Sequence, residues 1–279
     1  MRRIALGLLL AAPLVLAACA PTEETASETG PSASASSSVP ATGTTSSGGG
    51  SCAPGSLPVK TPGQLTIGTD SPAYEPWFVD NDPTNGKGFE SAVAYAVADR
   101  LGFSHDQVEW VKVPFNNSYA PGEKDFDFDI NQISITPQRA KRVDFSRPYF
   151  TAPQAVIALK SSPVANATSL AEVAKAKLGV QVGTTSLDAA QSQIKPSTQP
   201  QVFNDSNDTV RALKNERVDA IVVDLPTAFY LTAAEIPKAK IVGQFDAPGG
   251  DDWGVVLEKD SPLTDCVNQA IGELEGSGE

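Results

Sequence analysis

Four polar residues carry the first hint of chemistry. Asp70, Ser134, Thr184 and Asp224 each stand at or just past the carboxyl end of a segment that reads as a β-strand, at 65–69, 128–131, 178–182 and 218–223. In open α/β sheets ligands bind beyond the carboxyl ends of strands, so four such residues together point to a cleft. Asp224 can accept an ammonium there or cap a helix starting at Pro226, and Asp70 has the same two readings, with an Asx turn as the second. Arg139 falls in the first turn of a helix that Thr136 caps and Pro137 opens, where the macrodipole disfavours a cation. A bound anion offsets that conflict, and the planar guanidinium matches a carboxylate; the plainer alternatives are a solvated arginine or an ion pair with Asp144. Gly183-Thr184-Thr185-Ser186 opens another helix and offers either a second anion site or ordinary N-capping. Tyr74, Trp77 and Phe115 are candidate ligand walls or, equally, core residues.

The elements that must position these residues alternate in type. Strand patterns at 65–69, 108–113, 128–131, 155–159, 178–182, 201–203, 218–223, near 241–242 and at 254–257 are interleaved with helical patterns at 89–101, from 137, from 187, at 207–215, from 226 and at 263–274. Phe89, Val93, Val97 and Leu101 share one helical face, and Gly102 follows as a helix stop. Such alternation predicts an α/β architecture with largely parallel sheets. No internal repeat is visible.

The amino-terminal end describes a destination. Arg2 and Arg3 precede an apolar run from Ile4 to Ala18, too short for the ~20 residues of a membrane span and suited to an export signal at 1–18. Leu16-Ala17-Ala18-Cys19 looks like a bacterial lipobox, which makes Cys19 the lipidated end of an extracytoplasmic protein whose only membrane contact is that anchor; an ordinary secretory cleavage site is the alternative. Residues 19–56, rich in Ser, Thr, Gly, Ala and Pro, form a tether that cannot bury a core. The net charge of −12 grows more negative once Arg2 and Arg3 leave, which disfavours nucleic acid and anionic membrane surfaces as partners. With Cys19 lipidated, Cys52 and Cys266 remain as a disulfide pair in an oxidising compartment or as two separate thiols.

Blocks of sequence then carry a resemblance. Ile67-Gly68-Thr69-Asp70 with Tyr74 and Gly88-Phe89-Glu90, Ser134-Ile135-Thr136-Pro137-Gln138-Arg139 with 143–149, Val182-Gly183-Thr184-Thr185, and 218–224 resemble, in order, the polar-amino-acid-binding proteins of ABC importers, over about 65–274. The resemblance implies a monomeric two-lobed Venus-flytrap fold that hands an amino acid to a permease. It implies a first lobe at 57–152 plus 244–279, a second at 153–243, and hinge crossings at 151–155 and 242–245. It implies that Arg139, with amides near Ser134 and Thr184, holds the ligand's α-carboxylate. Asp224, helped by Asp70 or the Ser134 region, would hold the α-ammonium. Ala92 replaces a common acidic residue, Asn131 and Gln132 replace small ones, and the family usually continues for another helical segment beyond the Gly276 region, so the stop at Glu279 is expected to mark either a missing final helix or a truncated record.

The amides of Asn116, Asn117, Asn131 and Gln132 suggest a glutamine- or asparagine-like ligand; Glu75 keeps a basic amino acid as the second reading. His105 is the only histidine, in a polar turn, so zinc and Ser-His-Asp chemistry have no support, and no cofactor motif occurs. The remaining enzymatic alternative is a flytrap-fold dehydratase with Asp70 or Asp224 as base.

Overall fold

The computed structural model describes residues 52–53, 55–247 and 250–278. The segment expected to be an export signal, Cys19 and most of the expected tether lie outside them. Ten strands follow one another: β1 (Leu65–Thr69), β2 (Val108–Lys112), β3 (Phe128–Asp129), β4 (Asp144–Thr151), β5 (Gln154–Leu159), β6 (Leu178–Gln181), β7 (Gln201–Phe203), β8 (Ala220–Asp224), β9 (Ala239–Phe245) and β10 (Asp252–Leu257). Interspersed are α1 (Phe89–Arg100), α2 (Phe115–Ser118), α3 (Pro137–Ala140), α4 (Leu170–Val173), α5 (Thr185–Ala189), α6 (Ser206–Lys214), α7 (Leu225–Tyr230) and α8 (Thr264–Ser277).

The strands make two sheets, ordered β2-β1-β3-β10-β4 and β7-β6-β8-β5-β9, one per lobe. Chain order explains the split. The chain passes from the first sheet to the second between Thr151 and Gln154, and returns between Phe245 and Asp252. Residues 243–245 still pair with β5, so the second sheet runs through the expected crossing as far as Phe245.

Packing follows strand periodicity. Along β5, Ala155, Ile157 and Leu159 face one core with Val210, Leu213 and Leu231, while Val156 and Ala158 face another with Leu178, Val180 and Val222. A strand buried on both faces explains that unbroken apolar run. In the first lobe Leu65, Ile67, Phe128 and Val255 pack with Val97, Val267 and Ile271 from the helices. Cys266 joins this core and is disulfide-bonded to Cys52, which ties the start of the described chain to α8.

Two features differ from the sequence expectation. The sheets are mixed: β5 is antiparallel to β8 and β9, and β10 to β3 and β4, because each strand that follows a passage enters its sheet from the site edge. Strand β4 was not expected, since Pro148 interrupts its pattern. It is an edge strand, the position at which a sheet tolerates proline.

Candidate functional site

A cavity of about 90 Å³ opens at the edge of the two sheets. Its lining includes Asp70, Tyr74, Phe115, Asn131, Gln132 and Ser134 from the first lobe, and Gln181, Thr184, Thr185, Ser186, Thr209, Asp224 and Thr227 from the second. Asp70, Ser134, Thr184 and Asp224, each expected at a strand end, therefore meet in one cavity. Glu75, Asn116, Asn117 and Trp77 are not among the lining residues. Trp77 is a core residue, 4.8 Å from the Trp253 ring, with its Nε1 donating to Thr227 Oγ1 at 3.2 Å.

Several open alternatives resolve. Asp224 stands before α7 but makes no capping hydrogen bond; its Oδ1 accepts from Gln154 Nε2 at 2.7 Å. Burial, then the neighbouring Asp251 carboxylate, push its carboxyl up to about 7. Asp70 accepts from the Ser71 and Phe115 amides at 2.6 and 3.2 Å, and burial raises its carboxyl above the usual range. Thr184 caps α5, accepting from the Leu187 amide at 3.2 Å, so its hydroxyl has a structural task as well as a place in the lining.

Arg139 is neither solvated nor paired with Asp144. It is 7% exposed, and Asp144 instead holds Lys259 at 2.7 Å. Its Nη1 donates to the Ser134 carbonyl at 2.7 Å and its Nη2 to the Gly183 carbonyl at 2.8 Å, in the opposite lobe. The guanidinium lies 4.3 Å from the Tyr119 ring centre and 5.6 Å from that of Phe115. Neither Arg139 nor Gly183 is among the lining residues; the pair stands beside the cavity, with the cation's field at its Phe115 side.

The amides are largely engaged. Gln132 sits in the left-handed region at φ 47°, a costly conformation for a non-glycine residue. Its main-chain N–H donates to Glu90 at 2.7 Å and its side-chain amide to the same carboxylate, which also accepts from Tyr149. Burial pushes the Glu90 carboxyl up to about 7. The Asn116 carbonyl oxygen accepts from Tyr119. Asn131, by contrast, keeps a buried Nδ2 without a partner among the described residues.

Gln154 and Asp251 were missed. Gln154 Nε2 also donates to Asp251 at 2.9 Å, and its Oε1 accepts from Ser186 Oγ at 2.6 Å. The strand-end rule in its parallel form looks only at carboxyl ends. Because β5 is antiparallel to β8, Gln154 at its amino end pairs with Asp224; Asp251 similarly precedes β10.

The family model for bacterial extracellular solute-binding proteins, family 3, matches residues 65–279. The chain is similar to the arginine-binding extracellular protein ArtP of Bacillus subtilis, 28% identical over 77% of this chain and 82% of the relative. Among solved structures it is similar to an ancestral arginine-binding protein bound to arginine, at 30% identity and a TM-score of 0.64, covering 77% of this chain and 94% of that one. It is likewise similar to an ancestral arginine-binding protein bound to glutamine, at 29% identity and a TM-score of 0.65, covering 78% and 94%.

Proposed function

This chain belongs to the bacterial extracellular solute-binding proteins of family 3, and we propose that it captures a basic amino acid, arginine or lysine, for an ABC importer. The carrying observation is a charge imbalance. Asp70 and Asp224 both line the cavity, no Lys, Arg or His does so among its described lining residues, and the one adjacent guanidinium is that of Arg139. A zwitterion uses one carboxylate and one cation: its α-ammonium goes to Asp224 and its α-carboxylate to Arg139. Asp70 is left over: half-buried and held by two main-chain amides, it has no ion pair among the described residues. A second positive charge on the ligand, flanked by Tyr74 and Phe115, answers it.

The carboxylate role does not require Arg139 to release an oxygen it holds. Each Nη carries a second N–H, so the guanidinium can receive a ligand carboxylate while Nη2 keeps the Gly183 oxygen. The glutamine- or asparagine-like reading rested on side-chain amides. Gln132 is committed to Glu90, Asn116 and Asn117 lie off the lining, and Asn131, whose Nδ2 has no partner among the described residues, is the expected amide that remains. That weakens the amide reading relative to the basic one. ArtP and both ancestral proteins are arginine binders by name, one of them holding glutamine, and the names favour the same choice.

Binding rather than turnover is the activity proposed. Asp224, with its carboxyl near 7, is where a general base would stand, so incubation with each ligand followed by product analysis separates the readings. Intact recovery of ligand supports capture alone. We propose further that the protein is a monomer anchored through lipid on Cys19; mass spectrometry of the amino-terminal peptide from membranes tests the anchor, and an unmodified Cys19 removes it. A thermal-shift screen of the proteinogenic amino acids tests the ligand class, since saturation at 100 times Kd stabilises by ~2.7 kcal/mol.

A further inference from the structure

Two side chains outside the ligand scheme sit on the two passages between the sheets. Gln154 opens β5 and is 0% exposed; Asp251 ends the return passage and is 2% exposed. The Gln154 carbonyl is taken by Ser186, so its amide nitrogen faces two carboxylates at once, Asp224 at 2.7 Å and Asp251 at 2.9 Å. Asp251 also accepts from Ser134 Oγ at 3.4 Å, and that hydroxyl lies 3.1 Å from Thr185 Oγ1. A single network thus joins both passages, both lobes and the proposed ammonium site. Among the described residues neither carboxylate has an ion pair with lysine or arginine.

We propose that Asp224 and Asp251 act as one coupled carboxylate pair, bridged by Gln154, which holds a single proton until a ligand's α-ammonium displaces it, so that capture of an amino acid releases a proton to solvent. The inference rests on the reading above that Asp224 receives the ammonium. Two carboxylates sharing one donor cannot both ionise without repelling each other, and their titration belongs to the pair. The surrounding charges do not remove the conflict. Glu90 adds negative potential and Asp70 lies across the cavity. Arg139 opposes them, yet its Nη atoms are engaged with main-chain oxygens and it also faces Asp188. Burial raises both carboxyls, with hydrogen bonds from Gln154, Thr185 and Ser134 opposing the rise at Asp251. An arriving ammonium favours the doubly ionised pair. The carboxylic O–H bond breaks, the proton passes to buffer, and the carboxylate pairs with the cation. Affinity then falls as pH drops below about 7, by at most tenfold per unit for one proton.

Titration calorimetry on the full chain tests this, with L-arginine and L-glutamine as probes because both carry the same α-ammonium. At about pH 6.5 the heat should differ between two buffers of unlike ionisation enthalpy, corresponding to release of more than half a proton. Replacing Asp251 by Asn removes the like charge, so Asp251→Asn should flatten the affinity profile between about pH 6 and 8 and cut the proton release, whatever its effect on affinity. Equal heats in the two buffers with wild-type protein, which needs no variant to fold, overturn the inference alone. An unchanged pH profile in a folded Asp251→Asn protein also overturns it. Binding of neither probe contradicts the ligand reading and this inference together.

Discussion

Arg139 donates through Nη2 to the main-chain oxygen of Gly183 at 2.8 Å, across the gap between the two lobes. The cation proposed to hold the ligand's carboxylate is therefore also a contact that draws the lobes together. Tyr119 adds to the same junction, its hydroxyl oxygen 3.0 Å from the Gly183 oxygen while its ring lies against the guanidinium. Ligand capture and lobe closure meet at one side chain, and the predictions start there.

Arg139→Lys keeps the charge and loses the fork. A single ammonium nitrogen does not reproduce the planar fork whose two nitrogens reach separate oxygens. Disrupting one partner of a buried charged contact costs roughly 2–5 kcal/mol, so calorimetry with L-arginine should read a weakening of about 30-fold or more. Affinity within about threefold of wild type would take Arg139 out of the site.

Gly183→Ala should separate closure from folding. Gly183 has φ +76°, and a Cβ there would stand 2.5 Å from the Tyr119 hydroxyl and closer still to Asn116, both in the opposite lobe. Left-handed strain costs of order 1–3 kcal/mol, and the clash exists only when the lobes meet. Small-angle scattering should show ligand-induced compaction in the wild type and less of it in Gly183→Ala, with ligand affinity at least about tenfold weaker. Wild-type compaction and affinity in the variant would contradict the junction.

Asp70→Asn tests the unmatched charge. The Ser71 amide uses Oδ1 and the Phe115 amide Oδ2, so asparagine keeps one of the two acceptors, and comparing two ligands on the same variant separates the lost charge from any local rearrangement. L-Arginine affinity should fall about 30-fold or more while any L-glutamine affinity changes little, since only arginine loses a charged partner. Equal losses for both would assign Asp70 to the shared α-groups instead.

Much of this site is visible in the sequence because strand ends are visible. Asp70 and Asp224 close apolar runs, and both line the cavity. Other parts depend on pairings that no local pattern contains. Asp251 enters only because β10 runs against β3, and Gln154 only because β5 runs against β8. The Arg139 contact is to a backbone oxygen of Gly183, and side-chain types say nothing about such a partner. Strand β4 was hidden by Pro148, which edge placement permits. Glu75 looked like the spare carboxylate from its neighbour Tyr74, yet Asp70, already counted among the anchors, is the one facing the cavity.

The Cys52–Cys266 bridge spans a sequence separation of 214. Chain-entropy arguments allow roughly 5 kcal/mol for so long a loop, with measured gains commonly smaller. Reduction, or the paired Cys52→Ser and Cys266→Ser change, should lower the melting temperature by on the order of 10 °C. An unchanged melting temperature would show that the bridge contributes nothing to equilibrium stability.

Under the proposed function, spare negative charge in the cleft selects a basic amino acid. Competition calorimetry at neutral pH with L-arginine, L-lysine, L-glutamine and L-glutamate measures it directly. Arginine or lysine should bind tightest, with glutamine weaker and glutamate weakest, because its side chain would bring a second anion beside Asp70. Glutamine or glutamate binding more tightly than both basic amino acids would contradict the account.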